Sequence, residues 1–133
     1  MCIFCEIIKG NKPNYTVYED DKCLAFLDIS QATIGHTLVV PKKHFANIFE
    51  LDEETAKHIF NVVRIVANQI SKALNVKDVN ILNNNGKLAY QSVDHFHIHI
   101  IPRYEDDAFS IHFSENKLSN DMFIKLLDKI KRA

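Results

Sequence analysis

No uninterrupted apolar run in the sequence approaches the roughly 18 residues of a membrane span, and no basic, apolar and small-residue leader of the secretory kind opens it. Both absences point to a cytoplasmic protein with no membrane partner. An excess of one charge is missing too: 16 lysines and arginines stand against 17 aspartates and glutamates, a formal net charge of -1. With no general field to attract nucleic acid or anionic lipid, any phosphate binding must be local. Cysteine is scarce at three residues, an odd number, which argues against a secreted disulfide framework. Internal repeats, low-complexity tracts and linkers are also lacking. What remains, 133 residues with 47% hydrophobic and 25% charged content, is globular composition for a single domain over residues 1–133, with one core and no room for a second.

The local patterns then set out the elements. A helical turn is expected from Ile3 to Ile8, closed by Gly10 and stopped by Pro13. Strands are expected over Tyr15–Glu19, Cys23–Ile29 and His36–Val40, the first two joined through Glu19-Asp20-Asp21 and the third ended by Pro41, which cannot donate to a ladder. Asp52 reads as the N-cap of one long helix, with Ala56, Ile59, Phe60, Val63, Val66, Ala67, Ile70, Ala73 and Leu74 on its apolar face. Val79–Leu82 is a further strand, Asn83-Asn84-Asn85-Gly86 a turn, and Ser119 to Ile130 a last amphipathic helix. Short connections and the hairpin favour an α+β domain, an antiparallel sheet with the long helix on one face.

The chemistry is concentrated in the run Gln91-Ser92-Val93-Asp94-His95-Phe96-His97-Ile98-His99-Ile100-Ile101-Pro102-Arg103. Three of the seven histidines alternate with Phe96, Ile98 and Ile100, the period of a strand with imidazoles on one face and a core on the other. Same-face neighbours on a strand lie about 7 Å apart and His95 and His99 about 13 Å apart, so all three cannot act on one atom. The chemistry must divide into a reacting pair and one histidine with another task. Solvated surface histidines, a catalytic zinc held by His-x-His, and nucleophilic catalysis at phosphorus are the competing readings. The last is favoured: neutral imidazole is a good nucleophile near pH 7 and its phosphoryl adduct is labile to water. His97, flanked on both sides, is the natural nucleophile, His99 its phosphate partner, and Ser92, Gln91 and Asn84 are neutral donors nearby.

This run resembles the signature of the histidine triad (HIT) family. The resemblance is supported by Phe26-Leu27-Asp28-Ile29-Ser30, by Gly35-His36-Thr37-Leu38-Val39-Val40-Pro41-Lys42-Lys43-His44 and by Asn83-Asn84-Asn85-Gly86, each in family order. It covers residues 1–103, leaving the tail 104–133 outside it, and is nearest to the bacterial Hint-type nucleotide phosphoramidases. It implies a five-stranded antiparallel sheet with one long helix and short flanking helices, two subunits joining as a homodimer with a ten-stranded sheet. It also implies hydrolysis of purine nucleoside phosphoramidates or related adenylates through a nucleotidylated His97. Carried over by position, His99, Asn84, Gln91 and Ser92 contact the phosphate, Ser92 also serving catalysis. Asp28 holds the ribose, and Phe4, Ile7, Phe26 and Ile29 sandwich the base. His36 is expected to give a supporting hydrogen bond.

Zinc-containing members of the family, as the resemblance has it, join a Cys-x-x-Cys pair to a distant histidine and the first triad histidine. Here those positions are Cys2, Cys5, His44 and His95, a closed and hence structural site for one zinc per subunit. A thioredoxin-like reading of Cys2 and Cys5 is disfavoured, because only Met1 precedes them. Cys23 reads as a buried small hydrophobe, and His58 and His112 as surface residues. Two alternatives to the phosphoramidase are carried forward: a Fhit-like dinucleoside polyphosphate hydrolase, with which Pro102-Arg103 is compatible, and a nucleotide-binding regulatory module with residual activity.

Overall fold

Alternation along the strands divides their side chains between two apolar layers, one under a long helix and one under a short helix. The computed structural model describes residues 1–133. Strands β1 (Thr16–Glu19), β2 (Cys23–Leu27), β3 (Thr37–Pro41), β4 (Val79–Leu82) and β5 (Ile98–Pro102) form one antiparallel sheet in the order β1-β2-β3-β5-β4. Helices are α1 (Ile3–Ile8), α2 (Glu53–Leu74) and α3 (Asn120–Lys131), with a 3-10 turn at Lys87–Ala89 that the sequence pattern did not announce.

On one face Cys23, Ala25, Val39, Ile98 and Ile100 pack against Ile59, Val62, Val63, Val66 and Ile70 of α2. On the other, Leu24, Phe26, Leu38 and Val40 pack against Phe4, with Ile7 and Ile8 at the margin. Burial of each such side chain contributes about 1.5–3 kcal/mol, so both layers hold the sheet. Cys23 is fully buried, as expected of a small hydrophobe, and burial pushes its thiol pKa up to about 12.

Helix α2 starts where the capping signal placed it: the Asp52 carboxylate accepts from Thr55 N at 2.7 Å. It ends at Asn75, whose φ of 54° is left-handed. Its buried line differs from the expected face. Phe60 is 62% and Leu74 40% exposed while Val62 is fully buried, because the line through 59, 62, 63, 66 and 70 leaves residue 60 about 100° around the helix from Ile59. Helix α3 is capped by Ser119, which accepts from Met122 N at 3.2 Å, and none of its residues is buried. No helix is long and apolar enough to cross a membrane.

Candidate active site and metal centre

The histidine run enters the sheet later than its alternation implied. Only His99 lies in β5; His95 and His97 belong to the irregular segment before it. Their backbone is engaged elsewhere: Phe96 N donates to Phe45 O at 2.7 Å, and the Asn83 side chain donates to His97 O at 2.9 Å. Alternation nevertheless survives, with Phe96, Ile98 and Ile100 in the α2 layer. Nor is the histidine face open. Helix α1 lies over it, and the Phe4 ring stands 5.2 Å from His97, 5.9 Å from His95 and 5.6 Å from Phe26. The His97 and His99 rings approach to 5.0 Å, closer than ideal strand spacing allows.

Backbone carbonyls fix two of the three rings. Since a carbonyl only accepts, the 2.8 Å contact from His95 Nε2 to Pro41 O puts the proton on Nε2 and leaves Nδ1 bare. The 2.7 Å contact from His97 Nδ1 to His95 O does the opposite, leaving Nε2 of His97 with a free lone pair. Burial lowers the pKa of both, and each carbonyl offsets only part of that. Burial likewise holds His99 down to about 4, helped by His97 and His36. His36 is buried beside His99, with Nε2 2.9 Å from His99 Nδ1, so the supporting hydrogen bond expected of it is present. Its pKa is lowered by burial against the opposing pull of Asp28, whose Oδ2 lies 3.6 Å away.

A cavity of about 260 Å³ opens on this face, and Phe4, Ile7, Phe26, Asp28 and Ile29 all line it. These five are the residues expected around base and ribose. Sequence reasoning missed Ile3, Leu27, Leu38 and the Lys12-Pro13-Asn14 rim, which line it too. Leu38 was findable, because it is the direct cross-strand partner of Phe26. The expected phosphate residues are less uniformly placed. The Gln91 amide is already spent: Nε2 donates to Val93 O at 3.0 Å and across to Ala46 O at 2.7 Å, and Oε1 accepts from Gly86 N at 2.8 Å. Ser92 is exposed, on a separate cleft shared with Cys2 and His44. Asn84 is half-buried in the turn before it.

Cys2, Cys5, His44 and His95 converge, all ligand atoms within 4.8 Å of one another. Cys2 caps α1, its Sγ accepting from Cys5 N at 3.5 Å, which brings both sulfurs to the helix start. Sulfur-to-nitrogen separations run from 3.3 to 3.6 Å and the two Nδ1 atoms are 3.1 Å apart. A tetrahedral zinc with S at ~2.3 Å and N at ~2.0 Å requires S···N of about 3.5 Å and N···N of about 3.3 Å. The residues therefore fit the ion, and the bare Nδ1 of His95 is the atom it needs. Burial and the adjacent Cys2 thiol raise the Cys5 pKa, a penalty that a cation between the sulfurs would reverse.

His58 is not the free surface residue expected. It is half-buried with Nε2 2.8 Å from Asp20 Oδ2, and Asp20 also accepts from Tyr18 OH and the N–H groups of Lys22 and Cys23. With its carboxylate so occupied, this corner braces the β1–β2 turn.

Comparison with known proteins finds a family model described as HIT domain over residues 9–106. Adenosine 5'-monophosphoramidase of Schizosaccharomyces pombe is 42% identical over 106 residues, covering 80% of this chain and 77% of that protein. The crystal structure of a HIT family member from Bacillus subtilis is 44% identical with a TM-score of 0.94, covering 98% of this chain and 95% of that one. A zinc-bound histidine triad family protein from Mycobacterium smegmatis is 33% identical with a TM-score of 0.78, covering 98% and 96%.

Proposed function

The chain belongs to the HIT family, and on that premise we propose that it is a nucleotide hydrolase cleaving purine nucleoside phosphoramidates or related adenylates through a nucleotidyl-His97 intermediate. The observation that carries this reading is the His97 ring: buried, neutral at pH 7, and held by the His95 carbonyl with its Nε2 lone pair free. In the first step that lone pair forms an N–P bond as the phosphorus–amine bond breaks, and the departing amine takes a proton from solvent, relayed by the exposed Ser92 hydroxyl. Water then attacks phosphorus and gives up a proton to solvent as the N–P bond breaks and its electron pair returns to Nε2. His99 and Asn84 stabilise charge on the phosphoryl oxygens, while Gln91 holds the loop that carries Ser92. Asp28 accepts from the ribose, and Phe4, Ile7, Phe26 and Ile29 enclose the base. The name of the S. pombe relative supports the phosphoramidate substrate.

The proposal includes one structural zinc on Cys2, Cys5, His44 and His95, which would fasten α1 to the histidine segment; the zinc-bound M. smegmatis relative supports it. It also includes a cytoplasmic homodimer with a ten-stranded sheet, supported by the open edges at β1 and β4 and by Phe123, Ile124 and Leu127 exposed on α3. The dinucleoside polyphosphate alternative gains nothing from Arg103, because its guanidinium is taken by Asp107, Asn80 Oδ1 and Phe109 O.

The test compares turnover of adenosine 5'-phosphoramidate and a diadenosine polyphosphate by the purified chain, with His97→Ala as control. The phosphoramidate should be the faster substrate, and His97→Ala should lose at least roughly several hundredfold of its turnover. Faster polyphosphate cleavage would overturn the substrate class, and a variant keeping most of the rate would overturn the nucleophile.

A further inference from the structure

The loop from Asp28 to His36 holds a second set of contacts aimed at the histidines. Ala32 N donates to His36 Nδ1 at 3.1 Å. A backbone N–H only donates, so Nδ1 is the acceptor and the proton of neutral His36 sits on Nε2. That Nε2–H reaches His99 Nδ1 at 2.9 Å, so His99 in turn keeps its proton on Nε2. One peptide N–H thereby sets two rings, and His99 is left as a donor beside the bare Nε2 of His97. The same direction of donation separates this cluster from a metal site. Asp28, His36 and His99 have ligand atoms within 4.8 Å of one another, but a cation on His36 Nε2 would force the proton onto Nδ1, against the Ala32 N–H.

Ala32 is exposed and nothing in its side chain can hold it in place. The residue before it does so. The Gln31 amide donates to Asp28 O and to His36 O, the latter at 2.8 Å, and its Oε1 accepts from Gly35 N at 2.8 Å. A single primary amide therefore ties both ends of the loop together. Thr33 Oγ1 to Pro102 O and Tyr104 OH to Ile34 O, both 2.6 Å, anchor the same loop from beneath. Gly35, at φ +99°, lies against α2, where a Cβ would meet Leu74 Cδ1 at 2.5 Å and Pro102 Cγ at 3.2 Å, so the loop crosses there on a glycine.

We propose that Gln31 is a positioning residue for the reaction: by clamping the 28–36 loop it holds the Ala32 N–H on His36 Nδ1, and so imposes the His99 tautomer that donates to a substrate phosphoryl oxygen. The tautomer assignment stands on the contacts alone; its consequence for turnover rests on the function proposed above. Gln31 touches no substrate, and its influence passes through the backbone and His36.

The experiment is two-bond proton–nitrogen correlation of the imidazoles in ¹⁵N-labelled full-length protein, together with steady-state kinetics on adenosine 5'-phosphoramidate. In the wild type, His36 and His99 should both show a protonated Nε2 and a bare Nδ1. In Gln31→Met both rings should move toward mixed tautomers, with kcat falling about 10- to 100-fold and KM staying within about twofold. Gln31→Glu, which keeps the acceptor for Gly35 N and loses both donated bonds, should do the same. A wild type with Nδ1 protonated on either ring overturns the proposal with no variant needed. So does an unchanged ring pattern and kcat in either variant, or a loss confined to thermal stability. A wild type that hydrolyses no nucleotide while its rings respond to Gln31→Met defeats the proposed function and leaves the positioning role standing.

Discussion

At the scale of single residues, three chemically identical side chains become three different reagents because each meets a different backbone or side-chain partner. His95 gives Nε2–H to Pro41 and leaves Nδ1 bare; His97 gives Nδ1–H to His95 and leaves Nε2 bare. The alternation made the trio and its shared face legible in the sequence. The tautomers were not legible, because they depend on Pro41 and Ala32, 54 residues from His95 and 4 from His36 in the chain. Burial has a consequence for acid stability. His99 titrates at about 4 in the fold and His36 also below its ordinary 6.5, whereas the unfolded chain takes up these protons near 6.5. Unfolding therefore binds protons in that window, so stability is full above about pH 6.5 and falls as pH drops toward about 4. His99→Gln should lose less of its thermal midpoint than the wild type on acidification over that range. Equal losses would mean that His99 is not the buried neutral group described.

At the scale of elements, α1 matters more than its six residues suggest. A helix so short is unstable alone in water. It carries Cys5 and follows Cys2, which brings both sulfurs to His44 and His95, and it carries Phe4 and Ile7 into the cavity. The Cys2, Cys5, His44, His95 group and the cavity are thus two sides of one short helix, and Phe4 meets the His95 and His97 rings edge-on. We expect elemental analysis to find about one zinc per chain. Its chelation should speed hydrogen exchange of the α1 amides while α2 stays protected, and should raise KM more than it lowers kcat. Protein that contains no metal with reduced cysteines, or exchange unchanged by chelation, would refute the tether. Periodicity fixed the extent and cap of α2, because Asp52 and the apolar spacing are local signals, but not its buried line, which Val62 joins and Phe60 and Leu74 leave. It misjudged where β5 begins, since Phe45 O and Asn83, distant in sequence, take the backbone of residues 96 and 97 out of the ladder. Likewise Asp28 and the four apolar residues around the cavity were readable from the family motif, whereas the occupation of the Gln91 amide was not, because its partner Ala46 O lies 45 residues away in the chain.

At the scale of the whole molecule, the sheet has two open edges and α3 has no buried residue. Apolar side chains with nothing over them in one chain are the feature that a second copy would relieve. Light scattering coupled to gel filtration should give a mass about twice the 15.3 kDa of the chain, and a monomer at micromolar concentration would contradict the dimer. The tail 104–133 could not be read from the family motif, and the bond from Arg103 to Asp107, which pulls the Asp107 carboxyl down to about 2, anchors only its start. The claim on which the rest depends is that His97 is transiently nucleotidylated, and the steric course at phosphorus tests it without altering the protein. Hydrolysis of an adenosine phosphorothioamidate of known chirality in ¹⁸O-water should proceed with net retention, because two in-line displacements each invert the centre. Net inversion would show a single direct attack by water and contradict the intermediate.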